Sequence, residues 1–135
     1  MLKFSHLALN CRDLAVIEKF YTQHFGFHRA RLIDLGDDQI IFLRNGDAYL
    51  ELFRARGNGP APADKDGPTY AGFRHIAFQV DDVDQKLAEM GSAAVISHGP
   101  FNFNDFIPGW RTVWVKDPEG NVVEISQGFK DDPAQ

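Results

Sequence analysis

The hydrophobic pattern of the first half of the chain predicts the order strand, helix, strand, strand, strand. The stretch FSHLALN (4–10) alternates between apolar and polar residues, which is typical of a strand. Apolar residues at helical spacing follow between Asp13, a predicted N-cap, and Gly26, a predicted left-handed residue after the helix. The dipeptide Asn45-Gly46 indicates a tight hairpin between two later strands. The three predicted strands after the helix are RARLIDL (29–35), QIIFL (39–43) and AYLELF (48–53).

The second half of the chain repeats this order. FRHIAFQV (73–80) predicts a strand, and a short helix follows between Asp82, a predicted N-cap, and Gly91. Gln85 stands three residues after Asp82, which is the spacing of a capping box. DPEGN (117–121) predicts the turn before the last strand. The three predicted strands after this helix are AAVIS (93–97), RTVWV (111–115) and NVVEIS (121–126).

The two halves therefore indicate an internal duplication. HLALNCRDL at His6 matches HIAFQVDDV at His75 in pattern over nine positions, and YLEL matches VVEI near the end of each half. This repeat predicts an α+β protein of one domain, built from two tandem βαβββ modules. The modules are expected at 1–55 and 72–128, joined by a Gly- and Pro-rich linker at 56–71 and followed by a tail at 129–135.

Composition and charge exclude several classes of function. The net charge is −5 and basic residues are not clustered, so a nucleic-acid partner is not expected. No apolar run approaches the roughly 20 residues that cross a bilayer, and the start of the chain lacks a signal-peptide pattern. Cys11 is the single cysteine, which excludes an intrachain disulfide and a cysteine-based zinc site. We therefore expect a soluble cytoplasmic protein without a membrane partner.

Each half carries one histidine on its first predicted strand and one glutamate on its last. These residues are His6 and Glu51 in the first half, and His75 and Glu124 in the second. A carboxylate within an apolar strand is unfavourable when unpaired, so it faces a polar cavity, pairs with a cation or binds a metal. Recurrence at equivalent places of a repeat favours the metal, although duplication also copies residues that have no function.

Four motifs in the chain carry a resemblance to a known family. They are HLAL in the first strand, LEL in the fifth predicted element, HIAFQVDD, and DPEGNVVEI near the end. Across about Phe4 to Gln127, the chain resembles the vicinal oxygen chelate superfamily of glyoxalase I, bleomycin resistance proteins and dioxygenases. The resemblance implies a glyoxalase-like fold, in which the mixed sheets of both modules curl into a cup around one divalent metal ion.

The resemblance also implies which residues hold the metal and act on the substrate. His6, Glu51, His75 and Glu124 fall on the four ligand positions of the glyoxalase I pattern, and methylmalonyl-CoA epimerase has glutamine at the second of them. Nitrogen and oxygen donors of this kind admit nickel, cobalt, zinc, manganese or iron. Glu124 or Glu51 would also be the catalytic base, and we favour Glu124.

The function implied by the resemblance is a glyoxalase I-like lyase or isomerase, or an epimerase. Such an enzyme removes a proton next to a metal-bound carbonyl of a small oxygenated substrate. A non-heme iron dioxygenase and a non-catalytic drug-binding protein of the same superfamily are the alternatives. Relatives of this fold often form homodimers, so we expect a homodimer here, with a small molecule as the other partner.

Residues that could contact the substrate are less well marked. Glyoxalase I anchors glutathione with an arginine and an asparagine, where this chain has Asn10 and Ala55, which argues against a glutathione adduct as substrate. Arg12 and Arg54 lie close by in sequence and could replace these anchors.

The segment from His98 to Gly109 is rich in aromatic residues and precedes a strand arginine. Phe101 and Trp110 could belong to a lid that excludes water from the reaction, or the loop could pack its rings into the core. Arg111 could bind an anionic group of the substrate, or it could be an ordinary charge on a strand.

Overall fold

A computed structural model of the chain describes residues 1–57 and 72–134. The chain divides into two compact units, Met1–Ala61 and Pro62–Gln135. Most of the predicted linker at 56–71 lies outside the described residues.

The first unit has the predicted βαβββ order. Its sheet has the strand order β1-β4-β3-β2, with β1 and β4 parallel and the other pairs antiparallel. The elements are β1 (Leu7–Cys11), α1 (Leu14–His24), β2 (His28–Asp34), β3 (Gln39–Asn45) and β4 (Ala48–Arg54).

The second unit repeats both the element order and the sheet topology. Its strand order is β5-β8-β7-β6, again with one parallel pair, β5 and β8, and antiparallel pairs elsewhere. The elements are β5 (Ile76–Gln79), α2 (Val83–Met90), β6 (Val95–Asn102), β7 (Arg111–Lys116) and β8 (Val122–Gln127), with a 3₁₀ turn at Gly91–Ala93. The α+β class and the duplicated βαβββ order are therefore confirmed.

In the first unit, α1 packs against the sheet and forms the core with it. Asp13 caps the helix by accepting hydrogen bonds from the backbone N–H groups of Ala15 and Val16, as predicted. Gly26 has the left-handed conformation, with φ +70°, just after the helix end. The buried apolar side chains are Leu14, Ile17, Phe20, Tyr21, Phe25, Phe27, Ile41, Leu43, Leu50 and Leu52, together with Cys11.

In the second unit, α2 packs against β7 and β8. Asp82 caps this helix, because its carboxylate accepts from the backbone N–H of Gln85. The reciprocal half of the predicted capping box is absent, since the Gln85 side chain donates to Glu89 instead. The buried apolar side chains of this unit are Val83, Met90, Val113, Val115, Val122, Val123 and Ile125.

The turns and strand ends differ from the predictions in several places. β1 and β5 begin three residues later than predicted, at Leu7 and Ile76, so His6 and His75 directly precede their strands and do not lie within them. The β3–β4 hairpin pairs Asn45 with Ala48, so its two-residue loop is Gly46–Asp47 and not Asn45–Gly46. The strand predicted at 93–97 begins at Val95 and continues to Asn102, with irregular register near His98. The DPEGN turn is confirmed: Asp117 accepts from the backbone N–H groups of Glu119 and Asn121.

Neither α1 nor α2 has the length and apolar character that a membrane-spanning helix requires, and these are the α-helices of the described residues.

Candidate functional site: two histidine–glutamate pairs

In the first unit, the sheet brings His6 and Glu51 together. β1 and β4 are parallel neighbours, and Ala8, two residues after His6, lies opposite Glu51. The Nε2 atom of His6 lies 2.8 Å from Oε2 of Glu51. The imidazole is 36% exposed and the carboxylate 15%, so both groups can reach a bound molecule. The side-chain hydroxyl of Ser5 lies 2.8 Å from Nδ1, the other ring nitrogen of His6.

The second unit has the same arrangement at the same register. Ala77, two residues after His75, lies opposite Glu124 on the neighbouring parallel strand. The Nε2 atom of His75 lies 2.9 Å from Oε2 of Glu124, with side-chain exposures of 22% and 15%. The duplication therefore reproduces not only the residue types but the contact between them.

Both pairs lie on the sheet face that the helix of their unit does not cover. In β4, Leu50 and Leu52 are buried on the side that packs against α1, so alternation directs Glu51 to the other side. In β8, Val123 and Ile125 flank Glu124 in the same way. Each pair thus presents one imidazole nitrogen and one carboxylate oxygen away from the core.

No group of three or more His, Cys, Asp or Glu side chains that could hold a metal ion occurs within residues 1–57 and 72–134. Each unit alone supplies two donors, an imidazole and a carboxylate. Two such donor pairs would fit a divalent transition metal, because neutral imidazoles and carboxylates are its ordinary protein ligands and leave room for substrate oxygens.

The structure adds a residue that the sequence pattern did not mark. The hydroxyl of Thr112, on β7, donates a 2.7 Å hydrogen bond to Oε1 of Glu124 and lies 3.2 Å from the carbonyl oxygen of Ile125. Thr112 is almost fully buried. Glu51 has no such hydroxyl donor among the described residues, and Ile40 occupies the position equivalent to Thr112. The two pairs therefore differ in what holds the carboxylate.

Arg54 lies on the opposite face of its sheet from Glu51. It follows Leu50 and Leu52 at two-residue intervals on the helix-covered side, and its Nε lies 3.4 Å from a carboxylate oxygen of Asp38. Since its side chain is directed away from Glu51, we do not include Arg54 in the proposed substrate site.

A second arginine of the first unit, Arg29, forms an ion pair with a residue of α1. Arg29 donates two hydrogen bonds to the carboxylate of Glu18 on α1. The pKa of Arg29 is raised, chiefly by the side-chain hydrogen bond with Glu18, while desolvation acts in the opposite direction. This pair ties β2 to α1.

Arg111 is also directed to the helix-covered side of its sheet. Its guanidinium donates to Asp84 on α2 at 2.9 Å and to Asn102 on β6 at 3.0 Å. Trp114, three residues along β7, is the cross-strand neighbour of Glu124, so Arg111 and Glu124 point to opposite faces. Arg111 serves as a strand-to-helix contact in this arrangement, and we leave it out of the proposed substrate site.

The aromatic segment is partly strand and partly turn. Phe101 belongs to β6, so the part of the expected lid from 98 to 102 is sheet. The turn that follows is closed by a hydrogen bond from the N–H of Phe103 to the carbonyl of Trp110. Trp110 donates from its indole to the hydroxyl of Ser126, whereas Phe106 is 76% exposed and is not packed into a core. Phe101 and Trp110 stay candidate substrate contacts.

The chain is similar to proteins of one superfamily over almost its whole length. The profile of the Glyoxalase/Bleomycin resistance protein/Dioxygenase superfamily matches residues 3–125. The uncharacterized protein YaeR of Escherichia coli (strain K12) is 30% identical, over 89% of this chain and 92% of that protein.

Two solved structures support the same assignment. The trypanothione-dependent glyoxalase I of Leishmania major is 26% identical, with a TM-score of 0.71, over 95% of this chain and 88% of that chain. Lactoylglutathione lyase of Agrobacterium tumefaciens is 27% identical, with a TM-score of 0.63, over 93% of each chain. The duplicated βαβββ units have the glyoxalase-like α+β fold, and the chain belongs to the Glyoxalase/Bleomycin resistance protein/Dioxygenase superfamily.

Proposed function

We propose that the protein is a divalent-metal-dependent lyase, isomerase or epimerase that removes a proton next to a carbonyl of a small oxygenated substrate. The observation that supports this most is the imidazole–carboxylate pair, repeated at the same register in both units. A structural role alone does not require that both copies keep the contact on the face left open by the helices.

His6, Glu51, His75 and Glu124 would together hold the metal ion. Two neutral imidazoles and two carboxylates balance the charge of a divalent cation, and nickel, cobalt, zinc, manganese and iron all accept these donors. When bound, the ion supplies Lewis acidity that stabilises negative charge on a substrate oxygen. The two pairs would join either within one chain or between the chains of a homodimer.

Glu124 is the proposed principal base, with Glu51 as the second carboxylate. Its Oε1 accepts from Thr112 and its Oε2 contacts His75, so the carboxylate is held in a fixed orientation. The carboxylate takes the proton from the substrate carbon, and the electron pair of that C–H bond forms an enolate. Return of the proton to the neighbouring carbon gives isomerisation, and return to the other face of the same carbon gives epimerisation.

Metal content and proton exchange test this function directly. Untagged, purified protein is expected to contain a transition metal on elemental analysis, and to exchange the α-protons of 2-hydroxy or 2-oxo acids with D₂O in NMR spectra only when metal is present. Absence of bound metal, with no response to added metal, would contradict the proposal. Metal-dependent oxygen uptake would instead indicate a dioxygenase, and metal-independent ligand binding without exchange would indicate a binding protein.

Replacement of the base separates metal binding from turnover. Glu124→Gln keeps an oxygen ligand but not the basicity, so we expect it to retain most of the metal and to lose proton exchange by about 10²–10⁴-fold. Glu51→Gln is the matched variant in the other unit and is expected to lose less. Exchange at the wild-type rate in Glu124→Gln, measured by the same NMR assay, would exclude Glu124 as the base.

A further inference from the structure

An aromatic ring lies directly beside the histidine–glutamate pair of the first unit. Phe42 on β3 is the cross-strand neighbour of Glu51, and its ring meets the imidazole of His6 edge to face, with centroids 6.0 Å apart. Phe42 is only half-buried, and it is on the opposite side of β3 from the buried Ile41 and Leu43. The ring of Phe42 therefore lies on the same sheet face as the His6–Glu51 pair, and not in the core between the sheet and α1.

A pocket of about 330 Å³ opens beside this ring. Its volume is at the small end of the range for ligand pockets. The lining is mainly apolar and aromatic, with one ammonium group. The lining residues are Lys3, Phe4, Ser5, His6, Phe42 and Tyr49.

The second unit places an aromatic ring at the equivalent position. Trp114 on β7 is the cross-strand neighbour of Glu124, as Phe42 is of Glu51. Its ring centroid lies 6.4 Å from that of His75, in an edge-to-face arrangement. His98 and Phe101 on β6 extend the surface, with centroids 5.6 Å and 6.3 Å from Trp114. Each proposed ligand pair thus has aromatic side chains beside it within its own unit. We call these the aromatic walls: Phe42 in the first unit, and Trp114 with His98 and Phe101 in the second.

From these two walls we infer that the substrate carries a compact, flat apolar group, such as an aryl ring, next to its metal-binding oxygens. Edge-to-face and stacked contacts favour a ring over an open polar chain. Lys3, in the pocket of the first unit, provides a cation for an anionic oxygen of the ligand. The substrate class is therefore an aryl-substituted 2-oxo or 2-hydroxy acid. The assignment of the substrate as a 2-oxo or 2-hydroxy acid rests on the proposed function. The aryl ring is inferred from the aromatic contacts and does not depend on that function.

Binding of two unreactive probes tests the substrate class. Phenylglyoxylate and oxamate both present a carboxylate beside a carbonyl oxygen and carry the same charge, but only phenylglyoxylate has a ring. Calorimetric titration of the metal-loaded full chain is expected to show roughly tenfold tighter binding of phenylglyoxylate. Equal affinities for the two probes would overturn the inference.

The metal-free protein separates this inference from the proposed function. If the ring contacts are correct, chelator-treated protein still binds phenylglyoxylate more tightly than oxamate. That preference without any gain from metal would support the aromatic walls and contradict the metal-dependent function. Metal-dependent α-proton exchange together with equal binding of both probes would support the metal-dependent function and contradict the inferred aryl group.

Variants on each wall provide the residue-level test. Phe42→Leu and Trp114→Leu are each expected to reduce the preference for phenylglyoxylate by roughly threefold to tenfold, with little change for oxamate. Phe129→Leu removes a ring that contacts Trp110 at the tail and is the matched control, with no change expected. Lys3→Gln changes an exposed residue, so folding is retained and the affinity for both anions should fall. Unchanged preference in both wall variants would contradict the assignment.

Discussion

At the scale of single residues, the buried hydroxyl of Thr112 distinguishes the two histidine–glutamate pairs. It donates to Glu124, whereas Ile40 occupies the equivalent place beside Glu51. A hydrogen bond from a neighbouring side chain fixes the orientation of a carboxylate ligand, and such outer partners affect metal affinity. The asymmetry favours Glu124 as the carboxylate whose position is most closely controlled.

Thr112→Val removes this hydrogen bond but keeps the shape of the side chain. Because Glu124 would then lose its fixed orientation, we expect metal affinity or α-proton exchange to fall by about 10–100-fold. Thr112→Ser keeps the hydroxyl and is the matched control, with affinity close to that of the wild type. Competition titration against a metal-binding dye measures both variants, and an equal loss in Thr112→Ser and Thr112→Val would show that the hydrogen bond is not the cause.

The four residues of the two histidine–glutamate pairs could be predicted from the sequence. Their cross-strand neighbours could be predicted only where the turn of the hairpin was placed correctly. DPEGN was correctly placed as a turn, and counting back from it along the hairpin pairs Trp114 with Glu124. The Asn45–Gly46 loop was wrong, and the same count from it would have paired Glu51 with Ile40 in place of Phe42. Moving the hairpin loop by one residue moves each cross-strand partner by two positions, so the predicted loop did not place Phe42 beside Glu51. Thr112 could not be predicted as a partner of Glu124, because threonine is common in strands.

At the scale of elements, the turn after β6 is fitted closely to the end of β8. Gly128 has φ +77°, and a Cβ atom built on it would overlap the carbonyl group of Gly109. The backbone of Gly109 and Trp110 therefore approaches Gly128 in a way that only glycine permits. This contact holds the turn that carries Trp110, which donates to Ser126 on the face of Glu124.

Gly128→Ala is expected to destabilise the protein by roughly 1–3 kcal/mol and to displace this turn, because the methyl group would overlap backbone atoms. Gly36→Ala is the matched control: Gly36 has φ +85°, yet nothing lies within 4 Å of a Cβ built there. The control therefore reports the conformational strain alone. Urea unfolding, followed by tryptophan fluorescence, measures the difference, and equal destabilisation in both variants would refute the close-contact explanation.

The element order could be predicted more fully than the element bounds. The hydrophobic pattern predicted the eight strands and both α-helices of the described residues. The alternation is clearest in β3, β4, β7 and β8, because the apolar positions on one face of these strands are buried. The C-terminal part of β6 was missed because most residues of this strand are exposed, so Gly99, Pro100 and Phe101 have no alternating pattern to mark them as strand. Gln85 met the spacing of a capping box, but Glu89 one turn later competed for its side chain.

At the scale of the whole molecule, exposed apolar side chains bear on the assembly of the protein. Several large apolar side chains are exposed in the single chain, among them Phe4, Phe73 and Phe106. Large apolar side chains that are exposed in a single chain become buried when they lie in an interface between chains. We therefore expect a homodimer, and size-exclusion chromatography with light scattering should give twice the mass of one chain. A monomer at micromolar concentration would contradict this expectation.

Mixed dimers would distinguish a proposed metal site between chains from one within a chain. His6→Asn disables the pair of the first unit and His75→Asn that of the second. If each ion binds between chains, a dimer with one variant of each kind keeps one intact set of four ligands. If each ion binds within a chain, the mixed dimer has none, and added metal does not bind above the level of either variant alone.

The shared register of His6–Glu51 and His75–Glu124 also bears on the history of the chain. A half-length ancestor with one imidazole and one acid already in contact would have needed only to associate with itself to offer four donors. Fusion of two such copies would have made the second copy permanent and allowed each copy to diverge. At matching places the two copies differ, with threonine against isoleucine and tryptophan against phenylalanine, while the histidine–glutamate contact is the same in both.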